Sequence, residues 1–219
     1  VIARAGRLAQ ALAKLGLEPG ARVATLAWNS QRHLEAYFAI PSAGFVLHTL
    51  NLRLHPSDIA YIVNHAEDQV VLVDHVLWPL WEKVASQVNV KHVVVMSDGG
   101  ELPPGTIEYE SLVVPNDEAP FPFHDLDERS AAAMCYTSGT TGQPKGVVYS
   151  HRAIVLHSLA SAQSSSLGIC ESDAVLPVVP MFHANAWGFP FTCTLVGSKQ
   201  VFPGPHLDPA SLLELMSGE

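Results

Sequence analysis

One short segment of the sequence combines glycines, hydroxyl side chains and a lysine in a way that suits phosphate groups. Residues 136–146 read YTSGTTGQPKG and lie between two apolar runs that have the character of buried strands. Glycines allow backbone N–H groups to approach an anion closely, and Ser and Thr side chains add donors. A Thr oxygen can also face a magnesium ion, and Lys145 supplies a positive charge. The composition predicts a loop that binds the phosphates of a nucleoside triphosphate.

Two other interpretations of this segment are less favourable. Solvent-exposed turns rich in Ser, Thr and Gly are common, but the flanking strands and the Pro-Lys-Gly ending favour a binding loop. A Walker A loop requires a glycine directly before its lysine, whereas Pro144 holds that position here and no helix is predicted to begin at Lys145. The segment is therefore not a Walker A loop.

A second candidate segment, residues 180–188 (PMFHANAWG), lies further along the chain. Trp187 stands in a mixed polar and apolar loop close to His183, which favours a functional role for both side chains. Each also has a structural alternative, because Trp and His are often buried simply as packing residues. We therefore treat His183 and Trp187 as candidate site residues to be located in the structure.

Helices and strands alternate along the first part of the chain, and they would position these segments. Apolar residues at helical spacing predict helices at residues 1–15, 31–43, 56–65 and 78–86. Ser57 is the predicted N-cap of the third helix. The predicted strands, at residues 22–27, 45–50, 69–74 and 91–96, are apolar runs without alternation. Such strands are buried on both faces, which predicts an α/β fold with a parallel-rich sheet covered by helices.

The second part of the chain is less regular. Residues 97–129 are rich in Pro, Gly, Asp and Glu, and we expect a surface excursion there. The remaining elements are strands at residues 131–136, 146–149, 174–179 and 199–202, and helices at residues 153–162, 188–196 and 208–216. The helix at 208–216 has Asp208 as its predicted cap.

Composition excludes several classes of protein. The 219 residues carry 12 Lys and Arg against 21 Asp and Glu, a net charge of −9, which argues against a nucleic-acid partner. No apolar run approaches the roughly 18 residues of a membrane span. Three scattered cysteines are too few for a disulfide scaffold and predict a reducing, cytoplasmic location. The 11 histidines show no metal-binding spacing.

The two candidate segments together resemble one family. Residues 136–153 (YTSGTTGQPKGVVYSHRA) closely resemble the phosphate loop of the AMP-forming acyl-adenylate superfamily, which includes acyl-CoA synthetases, firefly luciferase and the adenylation domains of peptide synthetases. The FHANAW sequence resembles medium- and long-chain fatty acyl-CoA synthetases in particular. Residues 43–54 (AGFVLHTLNLRL) resemble an earlier motif of the same family. The resemblance covers essentially the whole chain.

This resemblance implies roles for individual residues. Thr137 would help to hold Mg²⁺, Lys145 would be the lysine of the phosphate loop, and His183 would be a catalytic residue beside the adenylate. Trp187 would gate a fatty-acid tunnel. The residues implied in nucleotide and substrate binding are Thr137, Ser138, Gly139, Thr140, Thr141, Gly142, Lys145, Ala184 and Trp187.

The resemblance also implies a reaction and a domain organisation. A fatty acid would react with ATP to give acyl-AMP, and coenzyme A would then displace AMP. Residues 1–219 would form part of the large N-terminal domain, with 1–130 as a first α/β portion and 131–219 as the phosphate loop and the start of the next. A smaller C-terminal domain would follow beyond Glu219, so the 219 residues alone are expected to be inactive. The partners would be small molecules, with a homodimer and a peripheral membrane contact left open.

The choice of acid remains partly open. Peptide-synthetase domains place Asp directly after the phenylalanine of the second motif, where it pairs with the amino group of the substrate, whereas His183 follows Phe182 here. An acid without an amino group is therefore favoured. The alternatives are an aryl-acid ligase or luciferase-like oxidase and, in a different class, a non-catalytic nucleotide-binding module of the same fold.

Overall fold

The computed structural model describes residues 1–115, 121–123, 125–137 and 143–218. Within them, seven strands form the main sheet, in the order β5, β4, β3, β1, β2, β6, β7 once they are numbered along the chain. Neighbouring strands are parallel except β6 and β7, which form an antiparallel hairpin. The strands are β1 Arg22–Leu26, β2 Val46–Thr49, β3 Val70–Asp74, β4 His92–Met96, β5 Ile107–Glu108, β6 Ala131–Thr137 and β7 Lys145–Ser150.

Helices cover both faces of this sheet. They are α1 Ile2–Ala13, α2 Gln31–Ser42, α3 Pro56–Ala66, α4 Trp78–Ala85, α5 Tyr109–Val113, α6 His151–Ser161, α7 Phe189–Val196 and α8 Pro209–Gly218. One apolar core joins α1, α2 and α5 to the sheet, and a second joins α3 and α4 to its other face. The predicted α/β fold with a parallel-rich sheet is confirmed. Among the described residues, no helix has the length and apolar character needed to cross a bilayer.

Local chemistry explains where the predicted elements differ from the observed ones. Ser57 as the N-cap of α3 is wrong: His55 occupies the cap position, and its ring accepts a hydrogen bond from the Ser57 N–H. Pro56 then fills the first helical position, where no N–H is needed. The predicted strand at residues 174–179 is reduced to β8 Ala174–Val175, which pairs with β9 Lys199–Gln200. The excursion at 97–129 contains β5 and α5.

Candidate active site

The predicted phosphate loop is carried by the hairpin at one edge of the main sheet. Strand β6 ends at Thr137 and β7 begins at Lys145, and these two exposed residues are register partners. Directly opposed residues of an antiparallel pair point to the same face, with Cβ atoms about 4.5–5.5 Å apart. The Thr137 hydroxyl and the Lys145 ammonium therefore share one face at the tip of the hairpin. The predicted residues that lie outside the described part of the chain are Ser138, Gly139, Thr140, Thr141 and Gly142.

The tip of the hairpin is packed closely around Tyr136, the residue before Thr137. Tyr136 is the register partner of Gly146. A β-carbon on Gly146 would lie 3.3 Å from ring atoms of Tyr136 and from the Cε atom of Met134. That is shorter than an ordinary van der Waals contact, so the glycine of the Pro-Lys-Gly ending lets the Tyr136 ring lie close against the backbone of β7.

The phenol of Tyr136 makes a defined hydrogen bond that sequence reasoning did not foresee. Its Oη atom lies 2.6 Å from Nδ1 of His65. Burial, reinforced by the nearby Asp68 carboxylate, raises the pKa of Tyr136 to about 12. The phenol therefore keeps its proton at neutral pH, and its hydroxyl forms a hydrogen bond with the His65 ring. The sequence shows only that a tyrosine stands beside the loop. Its partner His65 lies on α3, 71 residues earlier, so the hydrogen bond could not be predicted from the local pattern.

The second candidate segment contains a left-handed turn, Ala184–Gly188. The φ angles of Ala184, Asn185, Ala186 and Trp187 are 45°, 49°, 50° and 53°, and that of Gly188 is 76°. Residues with a β-carbon pay roughly 1–2 kcal/mol each for this conformation. Four such residues in succession hold their shape only where the surroundings impose it.

Side chains from distant parts of the fold hold the chain that enters this turn. Asn29 accepts a hydrogen bond from the Met181 N–H at 2.7 Å, and its amide donates to the carbonyls of Pro177 and Val179. The buried Tyr37 hydroxyl donates to the Met181 carbonyl. Sequence reasoning missed Asn29 and Tyr37, because each lies well over a hundred residues from the segment that it holds.

An apolar cleft of about 450 Å³ opens between the hairpin, α6, α7 and the left-handed turn. Trp187 is 61% exposed at this cleft. The residues that line the cleft are Ala133, Tyr149, Ala153, Ile154, His157, Ala184, Asn185, Trp187, Gly188 and Phe191. The volume lies within the range of small-molecule sites, which are predominantly apolar.

The hairpin connects this cleft to the candidate phosphate-binding residues. Ala133 and Tyr149 line the cleft and are register partners, as are Thr137 and Lys145 four residues further along. Side chains two or four residues apart on a strand point to one face, so both pairs lie on the same face of the sheet. At about 3.3 Å per residue, they are separated by roughly 13 Å. The arrangement can receive an apolar chain at one end and a polyphosphate at the other.

The structure thus brings together some of the predicted site residues and separates others. Ala184 and Trp187 line the cleft, whereas Thr137 and Lys145 lie at the hairpin tip and are not among the described lining residues. His183 is exposed at the entrance of the left-handed turn, where its N–H donates to the Pro180 carbonyl.

A magnesium ion would find one suitable protein oxygen at the hairpin tip. Mg²⁺ is bound by hard oxygen ligands, often one or two from the protein with the rest from phosphates and water. The Thr137 hydroxyl is exposed and lies beside the charge of Lys145. In the described residues, no three His, Cys, Asp or Glu side chains form a metal-binding group.

Comparison with known proteins agrees with this geometry. An anthranilate CoA ligase, AuaEII, solved in complex with anthranoyl-AMP, has the same fold, with a TM-score of 0.84 at 25% identity. The aligned region covers 98% of this chain and 41% of that protein. The left-handed turn, the hairpin and the sheet order described above therefore belong to a chain whose architecture is shared with an acyl-adenylating enzyme.

Two curated relatives are closer in sequence. A long-chain-fatty-acid–CoA ligase of Thermus thermophilus is 56% identical over 100% of this chain and 40% of its own length. A medium-chain-fatty-acid–CoA ligase of Ectopseudomonas oleovorans is 49% identical over 99% of this chain and 40% of its own length. The chain thus spans about 40% of the length of these relatives.

The predicted resemblance to AMP-forming acyl-CoA synthetases is confirmed by these relatives. All of the chain, residues 1–219, matches the profile of one family, described as AMP-binding enzyme. The match includes the hairpin, the left-handed turn and the helices around the cleft. The chain belongs to the AMP-binding enzyme family.

Proposed function

We propose that the protein carrying these residues is an AMP-forming fatty acid–CoA ligase. The observation that carries the proposal is the apolar cleft on the same face of the hairpin as Thr137 and Lys145. An acyl chain gains roughly 0.8 kcal/mol for each methylene buried in such a cleft. The relatives that are 49–56% identical are named as ligases of medium- and long-chain fatty acids, which supports the same class of acid.

The proposed reaction has two steps. In the first, a carboxylate oxygen attacks the α-phosphorus of ATP, and the bond from that phosphorus to the bridging oxygen of pyrophosphate breaks. In the second, the sulfur of coenzyme A attacks the acyl carbon, and AMP leaves with the electrons of the acyl–oxygen bond. The thiol proton passes to solvent or to a base.

The residues of this chain would act chiefly by positioning and by charge. Lys145 would neutralise charge that builds on the leaving pyrophosphate, which is a form of electrostatic stabilisation. Ser138, Gly139, Thr140, Thr141 and Gly142 would wrap the β- and γ-phosphates. Mg²⁺, held through Thr137, would supply further positive charge at the phosphates when bound. Closure of the loop over ATP would exclude water.

The second segment would serve the acyl group. His183 would lie beside the adenylate as a catalytic residue. Trp187, exposed at the cleft, would gate the entrance of the acyl chain, and Ala184 would contact the nucleotide from the same turn. The absence of an acidic residue after Phe182 in the sequence supports an acid without an amino group.

A cytoplasmic location is part of this proposal and rests on the low cysteine content. The homodimer, the peripheral membrane contact, the division of the chain between residues 130 and 131, and a following C-terminal domain remain predictions.

The test is turnover of an acid panel by the full-length gene product that contains these residues. We expect ATP–pyrophosphate exchange and thioester formation, with kcat/KM highest for medium- or long-chain fatty acids. A preference for benzoate or anthranilate would replace the proposal with an aryl-acid ligase. ATP binding without exchange for any acid would replace it with a nucleotide-binding module.

A further inference from the structure

A pair of buried polar side chains lies on the face of the sheet opposite to the candidate site. His48 is on β2, and its Nδ1 atom lies 2.8 and 2.9 Å from the two carboxylate oxygens of Asp68. Both side chains have no solvent exposure. His48 pairs with Met134 of β6, so its side chain shares a face with Met134 and Tyr136. Thr137 and Lys145 point to the other face.

The His48 ring packs on Tyr136. The two ring centroids are 5.3 Å apart at an interplanar angle of 40°. Tyr136 makes two further contacts. Its phenol forms the 2.6 Å hydrogen bond with His65, and its ring packs on Gly146 across the hairpin. One aromatic ring is therefore held by β2, by α3 and by the neighbouring strand of its own hairpin.

Burying a His–Asp pair against a strand costs desolvation free energy that apolar side chains would not cost. Burial raises the pKa of Asp68, which expresses the penalty on its charged form, and the contact with His48 opposes that rise. Replacing such pairs by apolar side chains of equal volume is often neutral or stabilising. Stability alone therefore does not account for the pair. Orientation of the His48 ring by Asp68, and through it of the Tyr136 ring, does account for it.

Tyr136 lies at the point where the two strands of the hairpin lead into the candidate phosphate loop. It immediately precedes Thr137, and its partner Gly146 immediately follows Lys145. The Tyr136 ring packs on Gly146, so it joins the two strands at the points where they enter the candidate phosphate loop. A ring fixed from behind thus fixes the two stems of the loop relative to the sheet.

We propose that Tyr136 is a positioning residue for triphosphate binding, held in place by His48, Asp68 and His65. This inference rests on the proposed function, because it assigns to the hairpin tip the phosphates of ATP. The phenol does not touch ATP: it lies on the opposite face and acts through the backbone of Thr137 and Lys145. Its hydrogen bond to His65 sets the angle of the ring, and contact with His48 sets its depth.

The first test removes only the hydrogen bond. In the full-length gene product, Tyr136→Phe keeps the ring and its contact with Gly146. We expect the Kd and the KM for Mg·ATP to rise by about five- to tenfold, the scale of one lost hydrogen bond. The KM for the fatty acid should change less than twofold, and the melting temperature should stay close to that of the wild type.

Tyr109→Phe is the matched control. It likewise removes a phenol that makes one hydrogen bond to a side chain, here a fully buried phenol whose oxygen lies 2.7 Å from a carboxylate oxygen of the buried Glu35. Tyr109 begins α5 beside β5, at the opposite edge of the sheet from the hairpin. We expect a lower melting temperature and an unchanged Kd for Mg·ATP, which is the reverse of the Tyr136→Phe result.

The second test is a double-mutant cycle with His65→Ala. Both changes remove the same hydrogen bond, so the double variant should lose no more ATP affinity than either single variant. If the losses of ATP affinity in the two single variants multiply in the double variant, the proposal is wrong. It is also wrong if Tyr136→Phe loses stability while its Kd for Mg·ATP stays unchanged. A wild type that binds ATP but activates no acid would overturn the proposed ligase function alone, because the Kd comparison still decides the role of Tyr136.

Discussion

The hairpin and the left-handed turn reach their shapes by different means. The hairpin follows from its own sequence: Gly146 admits the Tyr136 ring, and strand register alone brings Thr137 beside Lys145. The left-handed turn goes against its own sequence, because four of its five residues carry a β-carbon and still have positive φ. The chain that enters the turn is held by distant side chains, Asn29 and Tyr37, which bond to the backbone between residues 177 and 181.

This contrast separates two ways of building a site. A phosphate site needs charge at a fixed place, and the register of β6 and β7 brings Lys145 beside Thr137 at little conformational cost. A turn that carries strain of several kcal/mol relaxes to another conformation when the contacts that hold it are lost. We therefore expect substitutions at the hairpin to change chemistry, and substitutions at the turn to change stability and the shape of the cleft.

The largest expected effect comes from the hairpin tip. Lys145→Ala in the full-length gene product should lower kcat for adenylation by about 10²–10³-fold, or 2.7–4 kcal/mol, the range for losing one preorganised donor. ATP–pyrophosphate exchange measures it. Lys91→Ala removes another exposed lysine ahead of β4 and should leave the exchange rate unchanged. Equal rates for Lys145→Ala and the wild type would remove Lys145 from the site.

Gly188 tests whether the turn is imposed by its neighbours. A β-carbon there would lie 2.7 Å from Nδ1 of His157, and φ is already 76°. Gly188→Ala should lower the free energy of unfolding by about 1–2 kcal/mol through backbone strain, with a further loss because the His157 ring must move aside. Thermal unfolding of the full-length protein measures the loss.

Gly197→Ala is the control for this change. Its φ is 80°, but a β-carbon would meet only the Glu171 Cγ atom at 3.7 Å. It should show the backbone strain without the collision, a loss of about 1–2 kcal/mol. Adding His157→Ala to Gly188→Ala should recover the difference. If the two glycine variants lose equal stability, the collision with His157 plays no part in shaping the turn.

Trp187 tests whether the turn shapes the cleft. If the indole contacts the acyl chain, Trp187→Ala should lower kcat/KM progressively with chain length, by about 0.8 kcal/mol per lost methylene contact and roughly 1–2 kcal/mol in all. Acetate should be little affected. The measurement is kcat/KM for acids from acetate upward, with the melting temperature recorded in parallel. A loss that is equal for all acids and accompanied by a lower melting temperature would make Trp187 a packing residue.

The smallest effect has the opposite sign. Ala184→Gly places a glycine where φ is 45° and should raise the free energy of unfolding by about 0.5–1 kcal/mol, because it relieves strain. Ala160→Gly, on the exposed side of the right-handed helix α6, should lower it by about the same amount. Chemical denaturation of both variants decides the sign, and destabilisation by Ala184→Gly would show that the turn is unstrained.

The sequence allowed the sheet to be predicted far better than the site. Continuous apolar runs such as residues 69–74 have few alternatives to a buried parallel strand, and they were located to within a residue or two. The prediction of Ser57 as a cap is wrong because the helix begins earlier, at Pro56, so that Ser57 lies inside it and its N–H is accepted by His55. The candidate phosphate loop was recognisable because its glycines and hydroxyls are chemically required.

The left-handed turn was not predictable from its own residues. Ala, Asn and Trp do not demand positive φ, and the chain that leads into the turn is held by Asn29 and Tyr37, which lie far away in the sequence. The support of Tyr136 by His48 and His65 was missed for the same reason. The roles assigned to Ala184 and Trp187 came from family resemblance, since local pattern carries little information about contacts made across the fold.

The pairing of β2 with β6 has a consequence for the nascent chain. Leu47 pairs with Ala133, so 86 further residues must be translated before the outer edge of β2 is covered. At about 5–20 residues per second, that edge stays open for roughly 4–17 seconds. Open edges of this kind recruit other strands, and an inward-pointing charged group is one natural defence. Asp68 follows His48 by only 20 residues, so this polar pair can form while the edge of β2 is still open.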